Sequence, residues 1–520
     1  MPARATARQW TGLAVLAVPC FLVSLDAEVL NLAAPQLATD LRPSNVQLLW
    51  IMDSYVFVVA GLLIAMGVLG DRVGRRRLLL VGAAAFGLAS LLAAYAPGPA
   101  WLIAARVLMG VAGASLMPST LALIRVMFPD GRQRALALGG WSASFSLGGV
   151  GAPLIGGVLL EHFWWGSVFL IALPATVLLM VLGPVLLPES RDRGAGRFDI
   201  AGALLSLAAV LSFVYGVKEL AAEGVRLVPL STIAAAALLG AVFLGRQRRT
   251  AYPLLDLTIF REPRVTVALT GNALSYFVLY GSQLAIAQYL QLVLGLSPLE
   301  AGLRMLPSVL AFLGASLSAP FLSRVMPAGR AITAGLLLMS LGFALLAAVG
   351  AGGGVAAVVA GTVIFSIGLA PVYILSTELV VSTVRPGRAG MAAAVTETSA
   401  ELGGALGIAI LGSVGVAAFR HGMTGTPLPA GGTLADAAAT AGDLPARAGA
   451  ELLRVAGAAY TWSFTLVALI AAGSVAVAAM VAWRVLRPAP AAAATAAADA
   501  QDRAEVAAQR QSREAAGAQL

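Results

Sequence analysis

The sequence predicts an all-α integral membrane protein with two six-helix halves, two extra transmembrane helices and both termini in the cytoplasm. Three observations support this fold class. Hydrophobic residues make up 59% of the 520 residues and charged residues only 11%, whereas about 25% of an average globular protein is charged. The apolar residues fall in long runs, and glycine spacing repeats between the two ends of the chain. Because so little charge cannot cover a water-soluble body of this size, the apolar surface must face lipid.

Fourteen apolar runs are predicted to be membrane spans, each of which needs about 20 residues. The runs are 10–35, 47–70, 78–97, 100–126, 134–160, 165–188, 199–220, 228–246, 263–293, 299–325, 330–350, 354–380, 388–418 and 457–486. The first run follows Arg4 and Arg8, as a signal peptide would, but no cleavage site follows it. We therefore expect it to be retained as the first span.

The positions of Lys and Arg indicate the orientation of these spans. Of the 34 basic residues, 26 lie in the two tails and the even-numbered connections, seven lie in the odd-numbered connections, and Arg106 lies within a span. Cytoplasmic connections are the ones enriched in Lys and Arg, so both termini are predicted to be cytoplasmic. The net charge of +9 is then a topology signal, and no nucleic-acid partner is expected.

The spans divide the chain into five parts. They are a cytoplasmic N-terminus (1–9), an N-terminal six-helix half (10–190), two extra transmembrane helices with linkers (191–262), a C-terminal six-helix half (263–487) and a tail (488–520). The C-terminal half contains a long extracellular connection, 419–456, that is rich in Gly, Ala, Thr and Pro. The Ala-rich tail is predicted to be disordered and cytoplasmic.

An internal repeat relates the two halves at an offset of 255 residues. Seven of the 16 glycines between Gly67 and Gly157 fall on another glycine at this offset. The offset aligns the third span with the eleventh and the fifth with the thirteenth. Repeats of this kind place a substrate site near the middle of the membrane, where the halves meet. The alternative interpretation is that glycine is simply abundant in packed helices.

Acidic residues inside the spans are the main candidates for function, because a charged side chain at a helix centre costs about 2.5–3.5 kcal/mol on insertion scales. They are Asp26, Glu28, Asp53, Glu397 and Glu401. Burial favours the neutral, protonated carboxyl group, whereas a bound cation favours the charged form. A proton and a cationic ligand would therefore exclude each other at such a site. With alternating access, this exclusion amounts to antiport.

Arg106 and several aromatic residues complete the candidate site. A buried Arg106 needs a carboxylate or carbonyl partner, which we expect to come from the first span. Aromatic side chains could stack on a delocalised cation, although many such residues serve only packing. The candidates are Trp50, Tyr55, Trp141, Tyr276 and Tyr280.

The sequence argues against several other classes of protein. One cysteine, Cys20, excludes a disulfide framework, and two distant histidines, His162 and His421, do not suggest a metal centre. There is no nucleotide-binding G-x-x-x-x-G-K-[ST] motif. We find no nucleophile–base pair, so no catalytic residue, metal or cofactor is predicted. The proton gradient is the expected energy source.

Three motifs resemble those of the major facilitator superfamily. The connection after the second span, Gly67–Arg77, is similar to the signature loop of that family, and the stretch Arg106–Gly113 is similar to its second motif. The stretch Gly148–Gly157 resembles the motif typical of its antiporters. With Asp26 in the first span and fourteen spans in all, residues 10–486 resemble the 14-spanner drug:proton antiporters of the quaternary-ammonium and multidrug efflux type.

The resemblance implies a role for each motif. A cytoplasmic gate would be formed by Gly67, Gly70, Asp71, Arg72, Gly74, Arg75 and Arg76. Arg106 would couple protonation to movement. The fifth span would be bent and closely packed, which disfavours leak through the protein, by Gly148, Ala152, Pro153, Gly156 and Gly157. Asp26, Asp53, Glu397 and Glu401 match acidic positions that take up protons or face cationic drugs in similar pumps. The extracellular connection 419–456 would be a lid.

Two residues depart from the family pattern. Ala152 stands where the antiporter motif usually has Gly. Because alanine is also small, this change is expected to retain close packing. Glu28 stands where Thr is usual, and its extra charge beside Asp26 could alter cation preference or stoichiometry.

The expected function is proton-coupled export of amphipathic cationic drugs, such as quaternary ammonium compounds, dyes and antiseptics, across a bacterial inner membrane. The expected partners are these substrates, protons and the lipid bilayer, and the expected state is a monomer. The alternative is a dedicated exporter of one antibiotic or metabolite. A proton symporter and a membrane enzyme or scaffold are less favoured, because the fifth span is antiporter-like and no catalytic cluster is present.

Overall fold

The computed structural model describes residues 5–191, 198–223, 226–250, 252–352, 354–384, 388–424 and 432–487. Within these ranges the chain forms helices joined by short connections. The N-terminal part consists of α1 (Ala7–Leu41), α2 (Asn45–Val73), α3 (Arg75–Ala94), α4 (Pro99–Gly113), α5 (Leu116–Met127), α6 (Gly131–His162), α7 (Ser167–Leu170) and α8 (Ala172–Leu186). The fourth predicted span is thus interrupted between α4 and α5. There the Ser115 hydroxyl donates to the carbonyl of Ala112 at 2.7 Å, a local hydrogen bond that competes with regular helix.

A pair of helices, α9 (Ile200–Glu223) and α10 (Leu227–Arg249), follows the N-terminal part. The C-terminal part consists of α11 (Pro263–Gln288), α12 (Pro298–Val325), α13 (Ala328–Ala347), α14 (Gly354–Thr383), α15 (Ala389–Gly422), α16 (Leu434–Asp443) and α17 (Ala446–Val485). A π-helical turn, Tyr289–Val293, extends α11. The pair α9–α10 packs on the rest of the molecule through α9, which contacts α2 and α15.

Twelve helical stretches among the described residues are long and apolar enough to cross a membrane. Two predicted spans, α6 and α11, are not among these twelve stretches. On α11, buried polar side chains such as Asn272 and Ser275 lower the mean hydropathy of the helix. The count of fourteen spans therefore stays a prediction.

The helix bounds agree with the internal repeat. Shifted by 255 residues, α3 would cover 330–349 and α2 would cover 300–328, close to the bounds of α13 and α12. Packing follows the same relation, because α1 packs on α6 and α11 packs on α15. Between the halves, α2 packs on α15 while its repeat counterpart α12 packs on α6. The two halves therefore meet along a seam with approximate twofold symmetry.

The predicted connection 419–456 is shorter in the structure. Helix α15 continues to Gly422 and α17 already begins at Ala446. Between them, α16 begins with a capping box in which Thr433 and Asp436 cap each other's backbone. The apolar side of α16, including Leu434, is buried against α17. Residues 425–431 and the predicted tail, 488–520, lie outside the described residues.

A buried carboxylate organises the junction of the α9–α10 pair. Asp199 accepts hydrogen bonds from Arg246 Nη2 at 2.8 Å and from the backbone N–H of Gly202 at 2.9 Å. The neighbouring Gln247 accepts from the backbone N–H of Leu254 at 2.7 Å. The start of α9, the end of α10 and the following linker are thereby tied together at one point.

Asp199→Asn is expected to lower the thermal midpoint of unfolding by about 2 °C at pH 7. Burial alone would raise the pKa of Asp199, but the hydrogen bonds from Arg246, Gly202 and Gln247 and the charge of Arg246 together hold that pKa below the ordinary value of 3.8. A lowered pKa in the folded state gives stability above the ordinary value, and this stability is lost as the pH falls through the folded pKa. Thermal unfolding of the detergent-solubilised parent and variant should therefore differ at pH 7 and converge below pH 3.8. A difference that is the same at both pH values would contradict this assignment.

Candidate functional site

The first buried acid, Asp26 on α1, pairs with Arg106 on α4. Arg106 Nη1 donates to Asp26 Oδ2 at 2.6 Å, and the two residues are 1% and 7% exposed. Arg106 Nε also donates to the carbonyl of Ile51 on α2 at 3.2 Å. The buried arginine therefore has both a carboxylate partner from the first helix, as expected, and a carbonyl partner.

Aromatic rings enclose this ion pair. The guanidinium carbon of Arg106 lies 4.7 Å from the ring centre of Tyr55 and 6.0 Å from that of Phe169. Both rings are buried, and cation–π contacts strengthen when they are shielded from water. Tyr55 therefore already contacts a cation in this structure, and that cation is the side chain of Arg106.

The second buried acid, Glu397 on α15, lies in an aromatic cluster. It is 7% exposed and accepts a hydrogen bond from the Tyr373 hydroxyl of α14 at 2.7 Å. The Tyr373 ring stacks on Trp141 of α6 and meets Tyr276 of α11 edge to face, with ring centres 6.5 Å and 6.0 Å apart. Tyr276 in turn contacts Tyr280 at 5.8 Å. We call Trp141, Tyr276, Tyr280 and Tyr373 the aromatic cluster.

The other predicted site residues lie in different places. Glu401 follows Glu397 by one turn on the same face of α15, and it is half-buried, as is Asp53 on α2. Trp50 lies outside the aromatic cluster and stacks instead on Tyr215 of α9, with ring centres 6.2 Å apart. Glu28 falls within α1, but its side chain lies outside the part of the structure that is described.

The two acid sites lie near opposite ends of the molecule. Helix α2 ends, and α3, α6 and α15 begin, at one end of the molecule. We call this end the basic face, because it carries Arg75, Arg76, Arg134 and Arg388. We call the other end the opposite face. Glu397 is eight residues from the start of α15 at the basic face, or about 12 Å. Arg106 is seven residues from the start of α4 at the opposite face, or about 10 Å. The two acids therefore differ in depth as well as in partner.

The chemistry of the two sites is not repeated between the halves. At the offset of 255, glycines Gly281 and Gly361 correspond to Asp26 and Arg106. Ser142 and Ser146 correspond to Glu397 and Glu401. Each half therefore carries one acid site that the other half lacks.

Asp71 joins the two halves at the basic face. Within its own half it accepts from Arg75 Nε at 2.8 Å. Across the seam it accepts from the backbone N–H groups of Gly390 and Met391 at 3.1 and 3.2 Å. These groups begin α15, and a helix N-terminus attracts a negative charge. The approach is close, because a Cβ added to Gly67 would lie 2.5 Å from the Gly390 carbonyl oxygen.

Other members of the predicted gate motif stay within the N-terminal half or contact the linker. Gly74 has a positive φ of 113°, which glycine adopts without strain. Arg76 donates to the carbonyls of Pro184 and Leu187 at 3.2 and 3.1 Å. The Arg72 guanidinium lies 5.8 Å from the Phe198 ring, and Gly70 is buried near Leu78 and Ser119.

Two arginines that the motif search missed also cross the seam. Arg134 Nη2 donates to Glu378 Oε1 of α14 at 2.8 Å. Arg125 donates to the carbonyls of Val381 and Val384, at the end of α14. The side-chain hydrogen bonds that Asp71, Arg125 and Arg134 make between the halves lie at the basic face. The seam is closed there.

The motif on α6 packs mainly against α1. A side chain at Gly148 would meet the carbonyl of Phe21, and one at Gly156 would meet Val29. Ala152 is fully buried, whereas Gly157 is exposed with open space around it. The side chain of Pro153 lies outside the described set. Close packing therefore holds for Gly148 and Gly156 and not for Gly157.

Comparisons with known proteins agree with this architecture. A family model described as Major Facilitator Superfamily matches residues 16–408. The structure of the human organic anion transporter MFSD10 (TETRAN) is similar with a TM-score of 0.58 and 17% identity, covering 89% of this chain and 99% of that chain. At this identity the likeness shows a common fold.

Two bacterial relatives are similar over most of their length. "Multidrug efflux pump LfrA" of Mycolicibacterium smegmatis is 42% identical over 90% of this chain and 94% of the relative. "Methyl viologen resistance protein SmvA" of Salmonella typhimurium is 36% identical over 90% of this chain and 96% of the relative. The names of these relatives point to transport, not to catalysis.

Proposed function

Because this multi-pass membrane chain belongs to the major facilitator superfamily and its relatives are efflux pumps and resistance proteins, we propose that it exports amphipathic cationic compounds in exchange for protons. The observation that carries the proposal is the buried carboxylate of Glu397 within the aromatic cluster. A carboxylate supplies the charge and aromatic rings supply the flat, polarisable surface that a delocalised cation needs.

Exchange follows from competition at Glu397 and Glu401. In a water-poor interior a carboxyl group without a cation is most stable with its proton. An organic cation that replaces the proton stabilises the charged carboxylate. Proton and cation therefore bind alternately, and movement of the halves about the seam would carry each across the membrane in turn.

Asp26 and Arg106 would act as a second proton site. Protonation of Asp26 removes the charge that Arg106 binds, so the arginine must find other partners, and the helices that hold it shift. Arg106 would in this way couple protonation to movement. The proton gradient supplies the energy, and no cofactor is required.

We propose that the basic face is cytoplasmic, because cytoplasmic ends of membrane helices are rich in arginine. On this view α6 and α11 complete a set of fourteen spans, with both termini in the cytoplasm of a bacterial cell and the spans in its inner membrane. Since the halves are closed at the basic face, this arrangement would release cations outward. The protein would act as a monomer surrounded by lipid.

Proton release on cation binding is the test of this function. We expect the purified, weakly buffered protein to release protons when tetraphenylphosphonium is added. Glu397→Gln and Glu401→Gln should each reduce this release to between about half and two-thirds of that of the parent, because each removes one of two or three exchangeable protons. A pH indicator in the solution measures the release, and Asp26→Asn, Glu28→Gln and Asp53→Asn assign the remaining sites.

The matched control is Glu451→Gln, which removes an exposed carboxylate paired with Arg454 and should release protons as the parent does. If the parent released no protons, or if all carboxylate variants behaved like the parent, the proposal would be wrong. Resistance profiles decide between the broad exporter and a dedicated exporter of one antibiotic or metabolite. Protection of cells against many unrelated cations favours the former, and protection against a single compound the latter.

A further inference from the structure

Tyr373 occupies a special position between a buried charge and the seam. Its hydroxyl donates to Glu397 Oε1 at 2.7 Å within the C-terminal half. Its ring stacks nearly parallel to Trp141 of the N-terminal half, with an angle of 12° between the planes. Both side chains are buried. One residue thus contacts the acid with its polar end and the other half with its apolar face.

The contact between Tyr373 and Trp141 joins rings of the two halves. Several other aromatic contacts lie within one half or join α2 to α9. Trp141 is itself fixed, because its Nε1 donates to Thr120 at 3.1 Å and its carbonyl accepts from Cys20 at 3.4 Å. Tyr373 therefore packs against a rigid surface of the opposite half.

We propose that Tyr373 is a positioning residue that links the charge of Glu397 to closure of the seam at the basic face. The inference rests on the proposed function for the role of Glu397 and adds how that role reaches the other half. A charged carboxylate accepts a stronger hydrogen bond than a neutral one. It therefore holds the Tyr373 ring against Trp141, and this stacking stabilises the closed arrangement.

Loss of the charge weakens the link. When Glu397 becomes neutral, the hydroxyl is held less firmly, the ring can leave its position on Trp141, and the seam opens more easily. The titratable side chains that surround Glu397 are Tyr373, Tyr276, Glu401 and Cys20. None of these is basic, and the Tyr373 hydroxyl donates a hydrogen bond to Glu397.

Distance measurements across the seam test this inference. Spin labels on Arg132→Cys of α6 and Val325→Cys of α12 would report opening at the basic face, because both side chains are exposed while the native Cys20 is buried. We expect Tyr373→Phe, which keeps the ring and removes the hydroxyl, to raise the open-to-closed ratio about tenfold. Glu397→Gln should do the same, and combining the two should add no further opening.

Two further variants make the outcome decisive. Tyr460→Phe removes another buried tyrosine hydroxyl, which donates to Gln288 at 3.0 Å within the C-terminal half, and it should leave the ratio unchanged. Trp141→Leu removes the partner of Tyr373 on the other half. In a Trp141→Leu background, Tyr373→Phe should therefore cause no further change in the open-to-closed ratio. If Tyr373→Phe matched the parent, or if its effect added to that of Glu397→Gln, the inference would be overturned. The distances are measured without substrate in alkaline solution, where Glu397 of the parent has lost its proton, so failure of proton release in the parent would be a separate result, against the proposed function.

Discussion

Asp26→Asn is expected to reduce cation efflux at least about a hundredfold in proteoliposomes with an imposed pH gradient. The variant leaves Arg106 charged, 1% exposed and without its carboxylate. Breaking a buried ion pair by removing one partner costs about 3–5 kcal/mol. The variant also lacks the proton that Asp26 would carry, so both stability and coupling should suffer. Efflux of a fluorescent lipophilic cation and thermal unfolding measure the two effects separately.

A double variant separates folding from function here. Asp26→Asn combined with Arg106→Gln removes both charges and should recover much of the thermal stability, while efflux remains lost. Glu451→Gln is the matched control, because its partner Arg454 also lies at 2.6 Å. That pair is 52% and 70% exposed, so water screens it and no measurable change is expected. Normal efflux in Asp26→Asn would remove Asp26 from the mechanism.

Gly390→Val is expected to reduce efflux about ten- to a hundredfold by opening the basic face. A Cβ at Gly390 would lie 2.6 Å from both Asp71 Oδ1 and the Gly67 carbonyl oxygen of the other half. Overpacking of this kind costs about 1–3 kcal/mol. Separation of the halves relieves the strain, so the closed arrangement should become rare. The spin-label pair on α6 and α12 measures the open population directly.

The control for this substitution lies on the same helix. Gly412 of α15 has open space where a side chain would go, so Gly412→Val changes the helix without touching the seam. It should leave both efflux and the label distances as in the parent. A closed seam in Gly390→Val would mean that the contact with Asp71 does not control opening.

The sequence predicted the helical architecture and the acid residues because both depend on local composition. Runs of apolar residues mark the helices, and a carboxylate such as Asp26 inside a run needs an interior position. The partner of Arg106 also followed from this reasoning, since a buried guanidinium requires a carboxylate. Helix α11 shows the limit of composition, because its buried polar residues Asn272 and Ser275 lower the hydropathy of a helix that packs inside the molecule.

The contacts of the seam could not be predicted in the same way. Arg134 and Glu378 are 244 residues apart in the chain, and their meeting depends on the register between helices of different halves. The hydrogen bond from Tyr373 to Glu397 depends likewise on how α14 lies against α15. A motif search weighs neighbours in sequence, so it found Asp71 but not the amide groups of Gly390 and Met391 that bind it.

The uneven distribution of acid sites has a consequence for how such a protein can arise. Two copies of the first half would contain two Asp26–Arg106 pairs and no equivalent of Glu397 with Tyr373. Two copies of the second half would contain two Glu397–Tyr373 contacts and no buried ion pair of this kind. Duplication alone could supply the symmetric frame, but a protein with both kinds of acid site exists only after its two copies have diverged and specialised.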